Sequence, residues 1–211
     1  MTVITGYLTA AEQAVTLVAH PDVAAAWQQP SALPEMTVGA LAGHLAHQVL
    51  SVSAALTAPE STEPPIPLLD HYERAAWIGA PLDSEANAGI RARAEQHGTE
   101  GPAPLVTRAR AALAEQRGEL AKRTGAEAVF LPQTGWALRL DDFLVTRLVE
   151  LVVHQDDLAA SLGWATPEFA DDAYDPVLAL LSRLATRRHG QGAMLRALTR
   201  AERAPGAINV F

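Results

Sequence analysis

Between residues 38 and 56 the apolar positions Val38, Leu41, Leu45, Val49, Val52 and Leu56 fall in one stripe at about 100° per residue, the pattern of a helix buried in a bundle. Thr37 is a good N-cap for it, since its hydroxyl can accept from an orphan backbone N–H of the first turn. An earlier helix is announced by Thr9 and Glu12, a capping-box spacing, and carries Val15, Leu17 and Val18 to a break near His20 and Pro21, with a short helical piece to Trp27. Pro30, Ser31 and Pro34 mark the connection between the two.

Beyond residue 56 the pattern weakens. Residues 57 to 69, with Pro59, Pro64, Pro65 and Pro67, read as a stiff linker. Residues 70 to 78 and 84 to 97 are weaker helical candidates, separated by Gly79 and Pro81. A third bundle helix follows from about Leu105 to Arg123, with Leu113 and Leu120 in its core. Large residues alternate from Val129 to Leu140 around Thr134 and Gly135, which predicts a β-hairpin. Asp141 or Asp142 is the expected cap of the next helix, which ends near Gly163. Helices from about Ala170 to Arg188 and from Ala193 to Glu202 complete the chain, without internal repeat or low-complexity tail.

The helix over 143 to 162 is apolar on most sides: Leu144, Leu148, Leu151, Val152 and Leu158 share one face, and Val149 and Val153 another. The remaining sector holds Arg147, Glu150, His154, Asp157 and Ser161. Residues four apart on a helix share a face, so Glu150 and His154 aim at a common point and supply two metal-ligand atoms. A third must come from another element. His44, beside the stripe of the second bundle helix, is the candidate; His47 lies about 60° further round and is set aside. Asp157, or Asp156, could orient a ligand from behind. Against this stands a plainer arrangement, with Glu150 paired to Arg147 on a solvated face and His154 an ordinary half-buried histidine. His20, His71, His97 and His189 fall in or near connections or helix ends and receive no assignment.

Composition narrows the chemistry. A chain of 211 residues, 49% hydrophobic, is long enough for one domain or one domain with an appendage. The net charge of -8 and the lack of a basic stripe argue against nucleic acid as a partner. With 0 cysteines there is no disulfide and no thiolate metal site, and any nucleophilic thiol has to arrive with a cosubstrate. No secretory leader and no apolar run of roughly 18 residues is visible, so no membrane partner and a cytoplasmic location are expected.

Two segments carry a family resemblance. Residues 33 to 46, Leu33, Pro34, Glu35, Met36, Thr37, Val38, Gly39 and on through His44, are similar to a pattern in which a proline-bounded turn and Trp-Thr-Val-Gly precede a helix bearing a histidine; here Met36 stands in place of the tryptophan. Residues 147 to 158, with Arg147, Glu150, His154, Asp157 and Leu158, resemble its second motif of arginine, glutamate, histidine and Asp-Leu. The family is that of the mycothiol-dependent maleylpyruvate isomerases, within the DinB-like superfamily, and the likeness spans about residues 5 to 165. It implies a mainly α fold, a DinB-like four-helix bundle with a small β-hairpin and extra C-terminal helices. It also implies a divalent ion held by His44, Glu150 and His154. On this basis residues 1–165 form the metal-binding bundle and 166–211 a short helical extension packed on it. Isomerases of the family carry a larger α/β domain after the bundle; the tail here resembles shorter members.

The function expected from the resemblance is a metal-dependent enzyme that uses a mycothiol-like thiol to isomerise a small electrophile, or to conjugate it as an S-transferase. Zinc is the default ion, although two histidines and a carboxylate also describe iron sites. Alternatives are a hydrolase with metal-activated water and a metal- or ligand-binding module without turnover. Arg196, with Arg200 one turn on, is a weak candidate for clamping a carboxylate or the thiol cosubstrate, a solvated basic face being the plainer reading. Homodimerisation is left open.

Overall fold

The computed structural model describes residues 2–59, 61–76, 78–81 and 83–211. Four long helices make the bundle: α1 (Val3–Val18), α3 (Val38–Thr57), α6 (Pro102–Leu120) and α7 (Leu140–Ser161). α1 and α3 each pack on both α6 and α7, so that α1 sits diagonally across from α3. Leu41, Leu45, Leu105, Leu120, Leu144, Leu148 and Leu151 are fully buried between them. Burial of such side chains is worth roughly 1.5–3 kcal/mol each and supplies the main driving force.

The short helix α2 (Pro21–Ala25) follows the break at His20, whose Nδ1 accepts from Asp22 N. α3 opens on Thr37, whose hydroxyl accepts from Ala40 N. The linker after α3 runs beside the hairpin, Ile66 N donating to Ala137 O, and leads through Pro67 into α4 (Leu68–Glu73). The helix expected over 70 to 78 is therefore shorter and earlier, because Pro67 supplies its start; Trp77 lies outside the described residues, as does Glu60 of the linker. α5 (Glu85–Gly98) lies along α3 at close range. A Cβ on Gly43 would fall 2.4 Å from Ala94 O, and one on Gly98 2.7 Å from Gly39 O. The Trp27 indole locks the pair by donating to Gly98 O.

Strands β1 (Ala128–Leu131) and β2 (Trp136–Arg139) form the expected antiparallel hairpin, with Ala128 opposite Arg139 and Leu131 opposite Trp136. β2 runs directly into α7, and neither Asp141 nor Asp142 caps it. The reason lies in the preceding loop: Leu140 N donates to Glu127 O and Asp141 N to Gly125 O, so backbone carbonyls satisfy the first donors of the helix. The start of α1 also differs from expectation. Thr2 is its cap, and Thr9 sits inside the helix with its hydroxyl donating to Thr5 O. α6 begins at Pro102 rather than Leu105, since proline suits the first helical position.

α8 (Asp171–His189) packs on α1 and α7, and α9 (Gln191–Thr199) packs on α8, followed by a 3-10 turn at Ala201–Arg203. Pro176 removes the N–H that would have bonded Asp172 O within α8. The freed carbonyl lies against α1, where a Cβ on Gly6 would be 2.0 Å from it. The architecture is thus a mainly helical, DinB-like bundle with a two-stranded hairpin and added C-terminal helices. Among the described residues no helix is long and apolar enough to cross a membrane.

Candidate metal centre

Glu150 and His154 project from α7 toward α3, where His44 meets them. Glu150 Oε2 lies 3.0 Å from His44 Nε2 and 3.4 Å from His154 Nε2. The two imidazoles meet edge to face, ring centres 4.6 Å apart. One donor atom from each residue falls within 4.8 Å of the other two, and the side chains are only 11 to 19% exposed. Ligand atoms around a tetrahedral ion at about 2.1 Å stand roughly 3.4 Å apart, so donor chemistry and spacing both fit a divalent ion. This cluster is the one grouping of its kind among the described residues.

The surrounding groups set the direction of each ligand. Asp157 Oδ2 lies 2.8 Å from His154 Nδ1 and accepts a hydrogen bond from it, which turns Nε2 toward Glu150 and His44. Gln48, one turn after His44 and 1% exposed, directs its amide nitrogen to His44 O at 3.1 Å and approaches His44 Nε2 at 3.3 Å. Its amide oxygen accepts from Arg147 Nη1. Asp156, the other carboxylate considered, points away and accepts from the Thr166 hydroxyl.

Electrostatics in the ion-free centre follow from these contacts. Burial pushes Glu150 upward, but hydrogen bonds from His154 and His44 prevail and hold it well below the ordinary carboxylate range. For His154 burial opposes charge, and the carboxylates of Asp157 and Glu150 outweigh it, raising the imidazole to about 9. His44 moves the other way because burial dominates. Of the two imidazoles, His154 thus favours the proton and His44 the neutral form.

His47 does not join the cluster. It stacks on His97 of α5 with ring centres 5.1 Å apart, and burial holds it neutral, at about 4. His71 lies against the hairpin: its Nδ1 accepts from Trp136 Nε1 at 3.1 Å and its ring meets Tyr72 edge-on. Arg196 is exposed on α9 and has no hydrogen bond or ion pair among the described residues; its guanidinium lies back over Gly192 of its own helix. The sequence reading leaves out Gln48, although it follows His44 by four residues, a spacing that could have flagged it.

Three comparisons bear on this arrangement. A family model described as the mycothiol maleylpyruvate isomerase N-terminal domain matches residues 7–159. The crystal structure of a mycothiol-dependent maleylpyruvate isomerase is similar over 91% of this chain and 75% of that one, with a TM-score of 0.53 and 16% identity. A mutant of such an isomerase superposes equally well, with a TM-score of 0.53 and 15% identity over the same shares. At these identities the structural likeness speaks for the fold. No curated protein matches the chain by sequence.

Proposed function

Because this chain belongs to the mycothiol maleylpyruvate isomerase N-terminal domain family, we propose that it is a metal-dependent enzyme that uses a mycothiol-like thiol to isomerise or conjugate a small electrophile. What carries this reading is the convergence of His44, Glu150 and His154 from two helices onto one point, with Asp157 behind His154. These three residues would hold the ion, zinc being the default, and three protein ligands leave room for a further one. A divalent ion bound there would supply the positive charge that favours a thiolate over a thiol at neutral pH.

The chain's own residues prepare that chemistry. With 0 cysteines, the protein cannot offer a competing nucleophilic sulfur, so the thiol is a cosubstrate. Glu150 brings one negative charge to the centre, which leaves it net positive once an ion is present. Asp157 keeps the His154 lone pair aimed inward, and Gln48 couples His44 to Arg147. The bundle through residue 165 carries the centre, and residues 166–211 act as a helical extension braced on α1 and α7.

Elemental analysis of protein purified without added metal tests the centre. The expected result is about one ion per chain, lost in His154→Ala; a folded, ion-free wild type would sink the reading. Titration calorimetry with mycothiol then separates the chemistries, binding being expected in the ion-loaded protein alone. Cleavage of activated esters without any thiol would favour the hydrolase, and stoichiometric ion with no turnover of any electrophile would favour a binding module.

A further inference from the structure

Arg147 is a cation held in a fixed position beside the centre. It precedes Glu150 by three residues on α7 and so shares its face. Nη1 donates to Gln48 Oε1, Nε donates to the Thr146 hydroxyl at 3.1 Å, and the guanidinium lies over the Phe143 ring at 5.5 Å. A single side-chain amide separates it from His44 Nε2. Yet among the described residues no carboxylate stands within ion-pair distance of it, whereas Arg108, Arg117 and Arg187 each have one. Arg147 is half-buried, where a charge without a counter-ion is costly. Nη2 makes no hydrogen bond among the described residues and is not sealed off from solvent.

We propose that Arg147 forms an anion subsite that takes the carboxylate of the electrophilic substrate. A guanidinium edge and a carboxylate match in shape and charge, and the pair would give Arg147 the counter-ion the protein omits. The subsite rests on the reading of His44, Glu150 and His154 as the reacting centre. It selects electrophiles bearing a carboxylate near the reacting carbon, and it holds that carboxylate on α7, one turn from Glu150.

Titration calorimetry of zinc-loaded protein, with maleate and its dimethyl ester as probes, tests this. Wild type should bind maleate and not the ester. Arg147→Met should weaken maleate at least about tenfold, the loss expected for a charge-assisted hydrogen-bonded pair. Arg147→Lys should fall between, with zinc content unchanged in both variants. Maleate binding as tight in Arg147→Met as in wild type would mean that zinc alone holds the carboxylate, and would overturn the subsite. Equal binding of ester and acid by wild type would do the same. Should Arg147→Met fail to fold, Arg147→Gln decides, wild-type affinity for maleate being the overturning result. Zinc uptake is measured separately: a wild type that takes none overturns the centre, while Arg147-dependent maleate binding in that zinc-free protein would still support the subsite.

Discussion

Asp157 acts on the candidate centre through one hydrogen bond, 2.8 Å from His154 Nδ1. Removing the acceptor frees the ring to turn and lowers the basicity of Nε2, so Asp157→Ala should weaken ion affinity about 10- to 100-fold. Competition with a chromophoric chelator measures it, and unchanged affinity would deny Asp157 its orienting role. Gln48→Leu tests the other side of the site, since it removes the amide between His44 and Arg147. Leaving the Arg147 Nη1 donor without its acceptor should cost about 1–3 kcal/mol, read as a lower thermal midpoint. At this scale the sequence spoke where chemistry repeats at helical spacing: Glu150, His154 and Asp157 share the polar sector of α7. It was silent on Gln48, whose tie between His44 and Arg147 depends on how α3 is laid against α7.

Among the elements, the contact between α3 and α5 depends on the absence of side chains at Gly43 and Gly98. Gly43 is one residue from His44, so the same turn that admits α5 also carries a candidate ligand. Gly43→Ala would drive a methyl to 2.4 Å from Ala94 O and force the helices apart. The expected cost is about 1–3 kcal/mol, visible as a lower midpoint in urea unfolding with little change in slope. A destabilisation smaller than that of Ala46→Gly would contradict the close contact. The α3 pattern was legible because Thr37 and the stripe from Val38 to Leu56 agree. The starts of α1 and α7 were not. Thr9 and Glu12 imitate a cap inside a continuous helix, and the carbonyls of Gly125 and Glu127 replace the side-chain cap expected of Asp141 or Asp142.

For the whole molecule, buried histidines dictate how ion-free stability varies with pH. His47 and His71 are lowered by burial to about 4, from an ordinary 6.5. Their contribution is complete above 6.5 and is lost as pH falls toward 4, because the unfolded chain takes up protons that the folded one refuses. His154 has the opposite sign. Raised to about 9, it stabilises fully below 6.5 and loses that contribution as pH rises through about 9. The thermal midpoint of ion-free protein should therefore peak near 6.5. His71→Gln should flatten the acid limb, since protonating His71 Nδ1 sets it against the Trp136 N–H. Ion loading should remove the alkaline limb, because the ion competes with the proton on His154. Circular dichroism melts across this range check both limbs; an ion-free midpoint still rising up to about 9 would contradict the sign given to His154.

By itself the sequence determined the helical character of the chain, the hairpin, the lack of any thiol of its own, and the pairing of Glu150 with His154 on one helix face. Those properties follow from composition and from spacings of three, four or two residues, which local geometry converts directly into shared faces. Tertiary structure alone decided that His44 meets the pair across the bundle, that Gln48 ties His44 to Arg147, and that Arg147 is left without a carboxylate partner among the described residues. Such facts depend on how helices separated by up to a hundred residues are packed, and packing is set by the sum of many small contacts that no single segment encodes.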